Sequence, residues 1–499
     1  MLNSGVILQD ILRKNSYLCV QGSDIITITG IAYDSRRVLD GNVFFAVSGQ
    51  CYKDAEMEYV KEALMRGAVA IVWEESVSPV YGKLMKLCEE VKCVLILVKE
   101  IRHCMANAAS LYYGEPQNEL ITIGITGTKG KSTTAGMIHQ ILNKCNVSCG
   151  LIGTNGAYYA DTVERLRNTT PESVEVFRLL RDMIDNHVKV VVMEVSSQGL
   201  KMARVEGIIF DYAIFTNLGL DHIGEGEHAD FEEYIQCKSK LFQTCKEAWF
   251  NKDDPYVYRM TEKCLCNMYY YSMKQPSDHY AIEINNDSFK TQGFVEEVFE
   301  LRLPGRYNVY NALAAIGVLY SYGIPVFRIK AALKDVTIDG RMEKIELPCK
   351  ITVIIDYAHN ATSLEALLLT LKEYHPKRLI AIFGCGGNRS KDRRFLMGEV
   401  SGRYADFTII TSDNPRYENP QDIMADIVTG MQRTNGQYIC IEDRRQAVRY
   451  ALQHAKSGDM IVLAGKGHED YQEIQGVRYP MLDRELVYEA ITKEEWNVR

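Results

Sequence analysis

The segment Gly124-Ile125-Thr126-Gly127-Thr128-Lys129-Gly130-Lys131-Ser132-Thr133-Thr134 constrains this chain more than any other. It follows an apolar run, residues 120–125, and opens a helical pattern in which Met137, Ile138, Ile141 and Leu142 share one face. Strand, glycine-rich loop and helix in that order form a phosphate cradle, and the apolar helix face demands a sheet to pack against. Gly127 and Gly130 let backbone N–H groups approach phosphate oxygens, and the helix N-terminus adds partial positive charge. Lys131 can reach the β- and γ-phosphates, while Ser132 or Thr133 can hold Mg²⁺. The spacing departs from GxxxxGK[ST], because Ile125 stands where the first glycine would be. The segment predicts that a nucleoside triphosphate binds here.

At 499 residues the chain exceeds one core, and about 150 residues per domain predicts three domains. A net charge of −8, with no block of Lys and Arg to track phosphates, argues against a nucleic-acid partner. No charged-then-apolar leader opens the chain, and no apolar run reaches the roughly 18 residues of a membrane span, so a cytoplasmic protein without a membrane partner is expected. The fourteen cysteines are scattered. The closest pair, Cys264 and Cys266, has no second pair or His cluster at zinc spacing, which predicts reduced core thiols.

Residues 1–103 mix short strands (25–29, 42–47, 69–73, 93–98) with a helix near 54–66 and read as a small α/β domain. Residues 104–341 hold the phosphate loop and strands at 188–194 and 211–218, each apolar and each ending in polar residues. Such runs, separated by helices, indicate a parallel sheet covered on both faces, with ligands at the carboxyl ends of its strands. The alternating stretch 278–303 predicts an antiparallel appendage. Residues 342–499 alternate five strand patterns (351–356, 379–383, 407–411, 438–441, 460–463) with helices such as 363–374 and 444–456. That is a second doubly wound, Rossmann-like domain, and the fold class is α/β.

Three polar clusters sit at strand ends. The first, Met193 to Gly199, offers Glu194 as a hard oxygen ligand for Mg²⁺ opposite the loop. The second, Thr216 to His222, offers His222 as a metal ligand or a loop-satisfying group, and Lys238 follows on the next helix as an ordinary lysine. The third spans the last domain: Asp356-Tyr357-Ala358-His359-Asn360, Phe383 to Arg389, Asp413-Asn414-Pro415-Arg416, and Gly465-Lys466-Gly467-His468-Glu469. Each follows a predicted strand, so all four should crowd one sheet edge. Arg389 and Arg416 offer carboxylate forks and Glu469 can hold an ammonium, which predicts a site for a zwitterion.

These motifs resemble the Mur ligase family along the whole chain, and within it the branch that adds the third peptide residue to UDP-N-acetylmuramoyl-L-alanyl-D-glutamate. The resemblance rests on Asp34-Ser35-Arg36 and the run 41–49, the TGTxGK[ST] loop, Asn168-Thr169-Thr170-Pro171, EVSS, TNxxxDH and Asn311 in Asn308-Val309-Tyr310-Asn311-Ala312. In the last domain it rests on Gly340-Arg341-Met342-Glu343, DYAH, FGCGGxR, DNPR and GKGHEDYQ.

The resemblance implies a UDP-substrate domain, a central ATP domain and an amino-acid domain. It implies that Gly127, Thr128, Lys129, Gly130, Lys131, Ser132 and Thr133 bind ATP, with Ser132, Glu194 and His222 at magnesium. Asn311 would meet adenine, and Arg341 and Asp356 the nucleotide. Lys238 matches a lysine that the family carbamylates into a further metal ligand, completing the implied catalytic set of Lys131, Glu194, His222 and Lys238. Ser35, Thr169, Thr170, Ser196 and Arg204 match contacts to the UDP-muramoyl peptide. Arg389, Asp413, Asn414, Pro415, Arg416, Gly465 and Glu469 match those to the incoming amino acid, and Arg in the DNPR position goes with meso-diaminopimelate. The activity implied is ADP-forming amide ligation in peptidoglycan synthesis by a monomer. Departures are Gln198 where His is usual, Lys129 for Asn, Met202 for Gln, Ala361 for Pro, and no Pro in the hinge 338–341. Alternative readings are a sibling ligase using L-lysine, a glutamate-adding folate ligase, and a paralogue that binds nucleotide without ligating.

Overall fold

The computed structural model describes residues 5–47, 56–75, 81–220, 223–224 and 227–492. The chain forms two compact units: Met1–Tyr280 with Gly293–Val295 and Leu313–Val326, and Ala281–Gln292 with Glu296–Ala312 and Phe327–Arg499.

Besides a two-stranded ribbon, Val6–Ile7 with Thr27–Ile28, the first unit contains two larger sheets. The smaller has the strand order Tyr17–Gln21, Val94–Val98, Ala70–Glu74, Asn42–Phe45, Gly30–Ala32, parallel except for the first. Three of these match expected strands. Tyr17–Gln21 was not foreseen because an edge strand buries little, and the expected strand at 25–29 reduces to Thr27–Ile28, paired with Val6–Ile7 outside this sheet. The helix Tyr81–Glu90 was also missed, since only Leu84 and Cys88 anchor it.

The larger sheet places Ile121–Thr126 between Val190–Glu194 and Phe210–Phe215, with Cys149–Gly153 beyond the former and Cys245–Asn251 and Asn267–Ser272 beyond the latter. All these pairings are parallel. The strands read as continuous apolar runs because helices cover both faces. Register matters most here: Glu194 pairs with Ile125 and Phe215 with Thr126, so three polar segments leave the sheet side by side. The stretch 278–303 only partly matches its expectation. Ser288–Gly293 and Val298–Glu300 form an antiparallel hairpin, but His279–Ile282 joins Asn267–Ser272 in parallel.

The second unit carries a six-stranded sheet in the order Glu343–Leu347, Ile351–Asp356, Asp459–Ala464, Arg378–Phe383, Phe407–Ile410, Tyr438–Cys440, parallel except for the first. Alternation divides its core. Leu379, Ala381 and Phe383 pack with Leu364, Leu368 and Met397, whereas Ile380 and Ile382 pack with Ala447, Val448 and Leu486. The helices Arg444–Gln453 and Asp483–Thr492 are joined by the Arg444–Asp483 ion pair, 2.7 Å long and with both side chains fully buried. Among the described residues no helix is long and apolar enough to cross a membrane.

Candidate active site

The phosphate loop leaves the carboxyl end of Ile121–Thr126 and enters the helix Lys131–Lys144. Gly127 has φ 147°, and a Cβ there would lie 1.9 Å from Thr216 Oγ1. Only glycine permits this approach. Thr216 Oγ1 donates to Lys129 O at 2.6 Å, and Asn217 accepts from Thr128 N through its carbonyl at 2.9 Å and from Lys129 N through Oδ1 at 3.0 Å. The Thr216-Asn217 pair thus holds the loop open by hydrogen bonds. Gly130 caps the helix with φ 87° and no side-chain cap bond. The first amides of an α-helix have no intrahelical acceptor and carry its partial positive charge, so this end favours an anion.

Around that end stand the expected polar groups. Lys131 Nζ donates to Gly127 O at 2.9 Å and Thr128 O at 3.1 Å, folded over its own loop. Ser132 Oγ donates to Glu194 Oε2 at 2.9 Å, and Thr154 donates to the same carboxylate through N at 2.9 Å and Oγ1 at 3.2 Å. Glu194 is only 2 % exposed. Thr133 is buried, so of the two hydroxyls named for Mg²⁺ Ser132 is the one paired with Glu194. Lys238 is buried on the helix Phe231–Ser239, with Nζ 2.9 Å from Gly127 O and 4.6 Å from the centre of the Tyr234 ring. His222 lies outside the described residues.

The residues assigned to the muramoyl peptide divide. Thr170 Oγ1 donates to Glu194 O at 2.9 Å and accepts from Ser196 N at 2.9 Å, while Thr169 and Thr154 share a hydroxyl contact of 3.0 Å. These three polar segments therefore surround Glu194. Arg204 is held by Glu172 at 2.8 Å and by Thr170 O at 3.0 Å. Ser35 belongs to the smaller sheet's neighbourhood, where it is buried and donates to Glu62 at 2.6 Å.

In the second unit the four strand ends do converge. Asp356 pairs with Ala464, and Phe383 with Ile410, which sets DYAH, FGCGG, DNPR and GKGHE along one edge. Asn414 Nδ2 donates to Glu469 Oε2 at 2.8 Å, and its Oδ1 accepts from Lys466 Nζ at 3.2 Å and Glu473 N at 2.9 Å. Lys466 also lies 3.3 Å from Glu469. Glu469 thus already has an ammonium beside it, a fully buried lysine to which sequence reasoning gave no role because lysines default to solvent. A Cβ at Gly465 would lie 2.8 Å from Asp413 Oδ2, and one at Gly387 2.0 Å from Pro415 O. Arg416 sits in the left-handed region at φ 53°, donates to Gly387 O at 2.7 Å and lies 3.6 Å from Glu473. Arg389 is exposed. Asp356 accepts from the amides of Met342 and Ala358 at 2.8 and 2.9 Å, shaping both turns beside it. The Arg341 guanidinium stacks over Tyr357 at 4.7 Å, and Asn311 Nδ2 donates to Asn308 Oδ1 at 2.9 Å. Burial, then the Glu469 charge, pushes the Tyr357 hydroxyl up to about 12, so it remains a donor. Burial and the nearby Arg341 hold His468 down at about 4.

Residues 125–319 match the Mur ligase middle domain, and 340–467 match the Mur ligase, glutamate ligase domain. The chain is 42 % identical over 482 residues to the UDP-N-acetylmuramoyl-L-alanyl-D-glutamate--2,6-diaminopimelate ligase of Caldanaerobacter subterraneus subsp. tengcongensis, covering 95 % of this chain and 97 % of that one. It is 38 % identical over 497 residues to the enzyme of that name from Clostridium perfringens, covering 97 % and 99 %. A solved structure of a ligase with the same name superposes with a TM-score of 0.69 at 28 % identity, covering 98 % of this chain and 99 % of that one. The expected α/β architecture, with a phosphate-loop sheet and a doubly wound C-terminal sheet, is what these relatives share. On this likeness, which spans nearly the full length of both sequences, the chain belongs to the Mur ligase family.

Proposed function

We propose that this protein is an ATP-dependent, ADP-forming ligase that joins meso-2,6-diaminopimelate to UDP-N-acetylmuramoyl-L-alanyl-D-glutamate, acting as a cytoplasmic monomer in peptidoglycan synthesis. The observation that carries the reading is the uncapped helix start at Gly130, with Lys131 over the loop and Ser132 hydrogen-bonded to the buried Glu194. A carboxylate is a poor electrophile, so it must be activated. One oxygen of the D-glutamate γ-carboxylate attacks the γ-phosphorus of ATP as the bond to ADP breaks, giving an acyl phosphate. The amine nitrogen of diaminopimelate then attacks the acyl carbon, and the tetrahedral adduct expels phosphate as the nitrogen loses its proton. Lys131 leaves its two carbonyl partners to meet the phosphates and offset charge on the transferring group.

The donors Ser132 Oγ and Glu194 Oε2, hard oxygens 2.9 Å apart, fit Mg²⁺. When bound, Mg²⁺ supplies charge to neutralise the triphosphate. Lys238 in its neutral amine form would add carbon dioxide and lose a proton, becoming a carboxylate-like ligand beside the loop, with His222 completing the set. Thr169, Thr170, Ser196 and Arg204 would hold the muramoyl peptide and Ser35 its uridine end. Asn311, Arg341 and Asp356 would meet the nucleotide. Asp413, Asn414, Gly465 and Glu469 would hold one end of diaminopimelate, and Arg389 and Arg416 its carboxylates. The test is ADP release with the UDP-muramoyl dipeptide against a panel of amino acids. Release only with diaminopimelate supports the reading, and release with L-lysine alone, or with none, overturns it.

A further inference from the structure

One face of the helix Phe231–Ser239 carries a donor set that the ligation chemistry does not use. Glu233 and Cys237 are four residues apart, which places them one turn apart on the same helical face. His228, in the segment entering the helix, faces them. Ligand atoms of these three side chains all lie within 4.8 Å of one another.

Each donor is already oriented. The His228 ring is fully buried, with Nε2 2.9 Å from Ser197 Oγ and Nδ1 3.6 Å from Glu233 Oε2. With its proton on Nε2 and Ser197 accepting, the ring turns the Nδ1 lone pair toward Glu233, the outer-partner arrangement that metal-binding histidines use. The Glu233 carboxylate is fixed by Lys201 Nζ at 2.7 Å on Oε1 and by Ala229 N at 2.8 Å on Oε2. Cys237 is buried, whereas the Glu233 side chain is 32 % exposed, so the cluster opens to solvent on one side.

We propose that His228, Glu233 and Cys237 bind a divalent transition metal of the zinc class, with three protein ligands and the fourth position open to water. Imidazole, thiolate and carboxylate together suit a borderline-soft ion, whereas magnesium takes oxygen ligands alone. Binding releases the Cys237 thiol proton to solvent. The set is independent of the ligase reading, although Cys237 directly precedes Lys238 and Tyr234 on the same helix touches Thr128 Oγ1 at 3.0 Å.

Full-length protein freed of metal by a chelator is titrated with Co²⁺, which gives a near-ultraviolet thiolate-to-cobalt band when sulfur ligates. The expected result is one Co²⁺ per chain with that band, displaced by Zn²⁺ and not by Mg²⁺. Cys237→Ser should abolish the band and weaken Zn²⁺ binding by at least about tenfold, and Glu233→Gln, at the solvent-facing side of the cluster, should weaken binding while keeping the band. Cys266→Ser is the control, because Cys245, Cys264 and Cys266 bring three other thiols to 3.0 and 3.1 Å. No band in the parent protein, a band that survives Cys237→Ser, or a band lost in Cys266→Ser would each overturn the assignment.

Discussion

Lys131 donates its ammonium to two carbonyls of its own loop, so the role proposed for it at the phosphates requires that the side chain swing. Lys131→Ala should abolish ADP formation with the thermal transition unchanged, and near-normal turnover would remove it from the phosphate site. Lys238→Ala should be nearly inactive and partly restored by added short carboxylates, which can stand where carbamate oxygens would. Failure of every carboxylate to restore activity would count against carbamylation. Arg416 is the residue proposed to choose the acceptor. Diaminopimelate exceeds lysine by one carboxylate, and a partly buried cation left without that carboxylate costs about 1–3 kcal/mol, so discrimination against lysine should reach roughly tenfold to a hundredfold. Arg416→Ala should raise KM for diaminopimelate and leave ATP affinity intact. The motif DNPR was legible in sequence, but the left-handed backbone at Arg416 was not, because nothing local forces an arginine there; its amide and carbonyl are pinned by Glu473 and Gln475.

At the scale of elements, the loop and the Thr216-Asn217 segment are one structure. Both were read as separate phosphate and metal motifs, yet six hydrogen bonds of 2.6–3.3 Å join Thr216 and Asn217 to Thr126, Thr128 and Lys129. Parallel register produces this, since Phe215 pairs with Thr126 across strands distant in sequence. A different element contact is expected to govern stability in the second unit. Asp483→Ala would strand the Arg444 guanidinium in a fully buried site, and urea unfolding of that unit should show a loss of about 3–5 kcal/mol. A loss below about 1 kcal/mol would mean water reaches the pair.

For the whole molecule, acid should act through buried histidines. Burial holds His279 down at about 4 against an ordinary 6.5, and neither ring nitrogen has a hydrogen-bond partner among the described residues. Between those two values the unfolded chain binds a proton that the folded chain refuses, so stability rises with pH. It is full above 6.5, falls as pH drops toward 4, and the loss approaches about 3 kcal/mol. Thermal unfolding followed against pH should show this fall, and His279→Leu should flatten it. An unchanged slope in that variant would place the acid sensitivity elsewhere, with His468, held down in the same way, the next group to replace.

Sequence alone determined the α/β class, the phosphate loop and the four strand-end clusters of the second unit. Continuous apolar runs, loop glycines and motif spacing are local properties, and they survive without knowledge of the fold. The tertiary structure decided which of those groups meet. Ser132 reaches Glu194 because the strands Ile121–Thr126 and Val190–Glu194 are neighbours, and Lys466 reaches Asn414 because the ends of Asp459–Ala464 and Phe407–Ile410 converge. His228, Glu233 and Cys237 are near in sequence, yet only the entry of the segment into its helix turns the imidazole onto the helical face. Contacts of this kind depend on strand order, register and helix rotation, which arise from burying both faces of a sheet at once.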